Sequence, residues 1–339
     1  MFDLRKYLDE KTGLINGALE RYLPPETSRP IALHKAMRYS VMAGGKRLRP
    51  ILCLAAANAC GGSDEVALLP ALSIEVLHTY TLIHDDLPCM DDDDLRRGKP
   101  TCHVVFGEAN AVLAGDALLT LAFEWLAGAP EALGGFKQDG DATPADTSRR
   151  LGQACCAPYY PDRPASASRG PTLEADRVVA LRSDLILELA RAAGSMGVVG
   201  GQAEDLGAEG KKPDADLVEF IHLRKTAVLI RAAVRMGGMC AMADERELEA
   251  LSVYGTKAGL AFQIADDVLN ETSSAEQLGK AVGSDRARGK MTYVAVHGLA
   301  KSKEMADKLA GEAKEALKAI KGDAEPLAAL VDHIVTRKV

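Results

Sequence analysis

The sequence predicts an all-α protein, and three observations carry that expectation. Ala, Leu and Val dominate a chain that is 47% hydrophobic but only 4% aromatic, a balance that suits helix packing better than strand packing. Apolar residues recur with a 3.6-residue period in one segment after another. No stretch between those segments shows the apolar/polar alternation of a half-buried strand. At 339 residues the chain exceeds the usual single-domain length, yet one helical domain spanning 1–339 with a well-buried core can hold it.

The helices follow in order from their start and stop signals. Pro30, just after Ser28, opens a segment with Ile31, Leu33, Ala36, Met37 and Val41 inward, closed by Gly44 and Gly45. Pro50 opens a second that runs through Leu54 and Ala57 to Gly61. A third, apolar at Val66, Leu69, Leu72, Ile74, Leu77 and Ile83, must stop before Pro88, because proline cannot continue it. Further helices are expected over 107–128, 175–199, 214–241, 245–270, 291–321 and 324–337. Residues 129–173 break the pattern: they are rich in Gly, Pro, Ala, Ser and Asp, without apolar periodicity. So long a loop inside a compact domain is either a functional lid or a tolerated surface insertion, and the composition favours the insertion.

Bulk properties exclude several classes. A net charge of −7 disfavours nucleic acid as a partner, since phosphate-backbone recognition needs a basic surface. The seven cysteines are odd in number, scattered and without a CxxC pair, so neither a disulfide framework nor a zinc site is indicated and a reducing compartment fits. The N-terminal MFDLRKYLDEKTG has the character of neither a signal nor a transit peptide. No apolar run is expected to reach the ~18 residues that span a bilayer. The expected location is cytoplasmic, or the plastid stroma if a transit peptide has been removed.

The chemistry concentrates in HDDLPCMDDDDLRRGKPTCH, residues 84–103, where Asp85, Asp86 and Asp91 to Asp94 place six carboxylates within ten positions at the end of an apolar helix. Such crowding is costly unless cations neutralise it. Carboxylates without Cys or an obvious His geometry favour a hard cation such as Mg²⁺, which commonly bridges one or two carboxylates and a phosphate. Arg96, Arg97 and Lys99 lie just beyond, suited to phosphate oxygens. A second pair, Asp266 and Asp267, closes the apolar GLAFQIADDVLN, with Asn270 one turn below Asp266. Acids near a helix C-terminus oppose the dipole, a mild argument for a metal there. Lys46 and Arg49 in GGKRLRP, Lys225 with Thr226 inside an apolar helix, and Lys280 and Lys290 around a Gly-containing loop add scattered cations.

DDLPCMD at 85–91, with LRRGKPTCH and FGEANAVLAGDALLTLAFE continuing the pattern, resembles the first aspartate-rich region of the trans-prenyl diphosphate synthases, closest to bacterial-type farnesyl and geranylgeranyl diphosphate synthases. The likeness covers nearly the whole chain except 129–173, and GGQAEDL at 200–206 belongs to it. It implies an isoprenoid-synthase helical bundle around a central deep cavity, a homodimer, and magnesium, three ions per site, held by Asp85, Asp86, Asp91, Asp266 and Asp267. It implies that Arg96, Lys225, Thr226, Gln263, Lys280 and Lys290 serve the allylic diphosphate and its departing pyrophosphate. Lys46, Arg49, His78 and Arg97 would hold isopentenyl diphosphate. Asp85, Asp86, Asp91, Arg96, Lys225, Asp266 and Lys280 would then be the catalytic set for ionisation, condensation and elimination.

One departure stands out: the second motif reads DDVLN where the family pattern is DDxxD, so Asn270 supplies an amide in place of the last carboxylate and weaker metal binding is expected. Tyr80, five residues before Asp85, and Thr81 lie one to two turns beneath the first motif, where a growing tail would meet them. An aromatic at that point favours the fifteen-carbon farnesyl product, with geranylgeranyl diphosphate as the alternative. A terpene cyclase would lack the Lys46, Arg49, His78 and Arg97 set. A non-catalytic modulating subunit draws support from Asn270 alone.

Overall fold

A computed structural model describes residues 2–128, 173–272 and 290–336, and the expected all-α architecture is what it shows. The expected segment 129–173, except for its last residue, and Lys280 lie outside the described residues.

Helix α1 (Leu4–Tyr22) was not expected, because its mixed acids and bases hide the apolar face. Asp3 caps it by accepting from Lys6 N at 3.1 Å. It is followed by α2 (Ile31–Val41), α3 (Leu48–Ala59) and α4 (Asp64–Asp85). Helix α3 begins two residues before Pro50, which sits in the first turn where the missing N–H costs nothing. Almost every residue of α3 is buried, and α4 carries Leu72, Ile74, Val76 and Leu77 fully into the same core. A two-residue ladder, β1 (Leu95–Arg96) with β2 (Lys99–Pro100), corrects the expectation of no sheet. Arg97 and Gly98 turn it with φ of 54° and 73°, which local helix periodicity could not reveal.

Next come α5 (Cys102–Phe106), α6 (Glu108–Gly128) and α7 (Leu173–Ala193). The helix expected over 175–199 stops at Ala193, and Gly194 to Gly197 form a turn before α8 (Val198–Ala208). The helix expected over 214–241 is present with a defect: α9 (Ala215–His222), a π-turn (Leu223–Ala227) and α10 (Val228–Cys240) run on without a break. Helix α11 (Glu245–Thr272) starts on a reciprocal cap, Glu247 N to Asp244 Oδ1 at 2.9 Å and Asp244 N to Glu247 Oε2 at 3.3 Å. The expected 291–321 helix divides at Gly298, φ 80°, into α12 (Tyr293–His297) and α13 (Leu299–Ala316), with a 3₁₀ turn at Leu317–Ala319. Helix α14 (Glu325–Thr336) completes the described chain.

Helices α3, α4, α10 and α11 form the centre, with α6 against α4 and α13 against α11. Arg47, in the left-handed conformation before α3, is 3% exposed and donates to Glu75 on α4 at 2.7 Å, tying the two helices inside the core. Helices α4 and α6 are long and apolar enough, by length and composition, to cross a bilayer. They pass that test despite interspersed polar residues, and α4 is mostly buried against its neighbours.

Candidate active site

A cavity of about 360 Å³ opens between the C-terminal end of α4, the 91–96 segment, α8, the π-turn, the second half of α11 and residues 290–292. It is lined by Asp85, Asp91, Asp93, Arg96, Asp205, His222, Lys225, Thr226, Gln263, Asp266, Asp267, Asn270 and Lys290, with apolar Leu82, Ile221 and Met291. The two aspartate regions, about 180 residues apart in the chain, therefore share one wall-to-wall space.

The first region folds back on itself. Asp91 N donates to Asp85 O at 2.8 Å and Asp92 N to Leu87 O at 3.1 Å, with Asp92 at φ 51°. This curl puts Asp85 and Asp91 on the cavity while Asp86, 3% exposed, lies beneath. Asp86 accepts from Arg96 through both oxygens, at 2.5 to 2.8 Å, and thereby aims the guanidinium. The sequence expectation grouped Asp86 with the metal ligands; in the structure its carboxylate holds Arg96.

Lys225 projects from the π-turn, a defect that often marks functional sites. Two glycines make that turn fit. A Cβ on Gly201 would collide with the backbone nitrogen of Lys225, and a Cβ on Gly259 with Ala227. This accounts for the second Gly of GGQAEDL. Asp205, from the same segment, accepts from Lys225 Nζ at 2.6 Å. Burial alone would lower the Lys225 pKa, but Asp205 and Asp85 outweigh it and hold the ammonium charged. Thr226 donates to Gln263 Oε1 at 2.8 Å, and Lys290 donates to Asp91 at 2.9 Å across 199 positions of sequence.

Burial pushes the Asp85 carboxyl up to about 6; Lys225 pulls it down while Asp91 pushes it further up. Among the described residues, six aspartates and three cationic side chains line the cavity, so an incoming diphosphate would meet a negative wall unless cations intervened. No group of three His, Cys, Asp or Glu side chains among the described residues could enclose an ion by itself. That donor set, all oxygen and incomplete, suits magnesium, which keeps few protein ligands and completes its shell with water and substrate phosphate.

A second cationic group lies behind Arg96. Arg49 Nη1 stands 3.0 Å from His78 Nε2, and Arg97 donates to Gly44 O, covering Gly45. Burial, with Arg49 and Arg97 facing the ring, drives the His78 pKa well below its ordinary value. Tyr80 is buried, its ring edge-on to His84 at 5.2 Å, and Thr81 donates to His78 O at 2.7 Å; neither lines the cavity. Asp205 and His222 were missed as individual residues by sequence reasoning. GGQAEDL pointed to the first; nothing in the local pattern pointed to the second.

A helical bundle with aspartates from two distant elements around one shared cavity defines the isoprenoid synthase class. The chain belongs to the polyprenyl synthetase family, whose model matches residues 30–140 and 174–327, and it is an enzyme of the short-chain trans-prenyl diphosphate synthase type. The interruption at 141–173 falls in the stretch that composition set apart. Geranylgeranyl pyrophosphate synthase 4 of Arabidopsis thaliana is 41% identical over 99% of this chain and 78% of its own length. A chloroplastic geranylfarnesyl diphosphate synthase of Leucosceptrum canum is 42% identical, covering 99% and 81%. Among solved structures, an FPP/GFPP synthase of Zymomonas mobilis superposes with a TM-score of 0.75 at 31% identity, covering 98% of this chain and 99% of that one. A geranyltransferase of Helicobacter pylori, complexed with magnesium and isoprenyl diphosphate, gives 0.74 at 30%, covering 98% and 97%.

Proposed function

We propose that this prenyltransferase, as one domain over residues 1–339, extends allylic diphosphates with isopentenyl diphosphate as far as twenty-carbon geranylgeranyl diphosphate. The observation that carries the reading is the shared cavity, with Asp85 and Asp91 facing Asp266 and with Lys225 and Lys290 among them. Asp85, Asp91 and Asp266 would hold magnesium, which when bound supplies positive charge to the diphosphate leaving group. Lys225, kept protonated by Asp205, and Arg96, aimed by Asp86, take the remaining phosphate oxygens. Arg49, Arg97, Lys46 and His78 hold the second diphosphate, so the alkene of isopentenyl diphosphate faces the allylic carbon. The allylic carbon–oxygen bond breaks, the new carbon–carbon bond forms, and the proton lost from the adduct goes to the released pyrophosphate. No protein nucleophile enters.

The twenty-carbon product replaces the fifteen-carbon one expected from Tyr80. It is supported by relatives 41% identical that are named geranylgeranyl pyrophosphate synthases. The chloroplastic names of several relatives favour a plastid location. A homodimer fits the exposed apolar row of Val104, Val105, Val112 and Leu113 on α5 and α6. Incubation with magnesium, isopentenyl diphosphate and dimethylallyl, geranyl or farnesyl diphosphate, followed by chain-length analysis, tests the product. Farnesyl diphosphate should be consumed as a starter; its accumulation from the shorter starters, unextended, would refute the assignment.

A further inference from the structure

Asp266 and Asp267 are neighbours in sequence but not in surroundings. Successive helical residues point about 100° apart, and here Asp266 is exposed towards the cavity while Asp267 is 4% exposed. Both oxygens of Asp267 are engaged: Oδ1 accepts from Gln263 Nε2 at 3.1 Å and Oδ2 from the backbone N–H of Tyr293 at 2.8 Å. His222 Nε2 lies 3.6 Å from Oδ2, and the His222 and Tyr293 rings pack at 5.0 Å, both residues 5% or less exposed. Three elements, α9, α11 and the start of α12, thus meet on one carboxylate. Tyr293 stands three residues after Lys290, whose ammonium reaches Asp91 at 2.9 Å.

We infer that Asp267, His222 and Tyr293 form a buried clasp that pins residues 290–293 onto α11 and thereby positions Lys290 against the first aspartate region, so that Asp267 acts as a positioning residue and not as a magnesium ligand. A carboxylate enclosed by two N–H donors and an imidazole is fixed by the fold before any ion arrives. Its loss leaves a buried backbone N–H without an acceptor, which frees the segment that carries Lys290. This assignment rests on the proposed diphosphate chemistry for its effect on rate, but the clasp itself is a statement about the fold.

The test uses Asp267→Ala, Asp266→Asn and Tyr293→Pro in the full chain. Proline is accommodated at the first position of a helix, and Thr292 is already extended at φ −117° and ψ 158°, as a residue preceding proline must be. Tyr293→Pro therefore removes both the donor and the ring that packs on His222, without breaking α12. Magnesium binding is titrated calorimetrically in the presence of inorganic pyrophosphate, and hydrogen exchange is followed on the peptide covering 290–297. Asp267→Ala and Tyr293→Pro should each accelerate exchange there and lower kcat by about ten- to a hundredfold, as loss of a supporting partner does, with magnesium affinity unchanged. Lys290→Ala added to Asp267→Ala should lower kcat no further, since both act through one contact. Asp266→Asn should weaken magnesium and leave the exchange alone. Magnesium affinity falling as far in Asp267→Ala as in Asp266→Asn, or unchanged exchange at 290–297, overturns the clasp. Failure of the unsubstituted protein to bind magnesium with pyrophosphate would instead overturn the functional reading, while the exchange result still decides the clasp.

Discussion

Asp85 shows how a site residue is held against its own stability. Its carboxyl titrates at about 6 in the fold against an ordinary 3.8, chiefly through burial, so the protonated form is favoured. The stability this brings is present below pH 3.8 and lost as pH rises through 6; at neutral pH the ionised group costs about 3 kcal/mol. Asp85→Asn in metal-free buffer at pH 7.5 should therefore melt at or above the temperature of the unsubstituted protein while losing turnover, as differential scanning calorimetry and product assay would reveal. Asn270 makes the complementary case. It lines the cavity with a neutral amide where the family pattern has a carboxylate. Asn270→Asp should lower the magnesium concentration for half-maximal activity several-fold, by roughly the 1 kcal/mol that one added partly screened charge supplies. An unchanged requirement would remove Asn270 from the metal's neighbourhood. Asp86 is the counterexample, a motif aspartate whose buried carboxylate is taken up by Arg96.

At the scale of elements, the π-turn at Leu223–Ala227 determines where Lys225 and Thr226 point, and it survives only because Gly201 and Gly259 let two helices approach its backbone. Gly201→Ala should displace the turn and separate Lys225 from Asp205. A loss of kcat of at least tenfold is expected from losing one preorganised cation, with the melting temperature falling by several degrees for ~1 to 3 kcal/mol of overpacking. The neighbouring turn of α9 holds His222, whose pKa burial drives down to about 3, with Asp205 pulling it up. Its neutral form is required by the fold, so stability is fully present above pH 6.5 and lost as pH falls towards 3. Denaturant titrations between pH 7 and 4 should show that decline, and His222→Gln should flatten it. The helix itself was readable from the apolar positions around Ile221 to Ile230, but the extra residue per turn was not, because 3.6-residue periodicity tolerates a single inserted position without losing the apolar face. The breaks at Gly194 and Gly298 were missed for a related reason: apolar residues continue on both sides of each.

Across the whole molecule, the site exists only where distant elements meet. Asp91 on one side and Lys290 on the other are 199 residues apart, as the long-range ion pair requires α4, α11 and the start of α12 to be packed first. Magnesium with inorganic pyrophosphate should therefore stabilise the fold as a unit, raising the melting temperature by about 3 kcal/mol of linkage at a hundred times the dissociation constant. Neither component alone should match it, because the aspartates do not complete a cage. The sequence by itself determined the helical class, most helix positions and the two aspartate regions, since periodicity, caps and clustered charge are local properties of a chain; the diphosphate chemistry came through its likeness to the prenyl diphosphate synthases. Only the tertiary structure decided that Asp86 holds Arg96, that Asp205 keeps Lys225 charged, that Tyr80 turns to His84, and that adjacent Asp266 and Asp267 face opposite environments. Those outcomes depend on which helix lies against which, and burial and partner are set by packing between elements far apart in the chain.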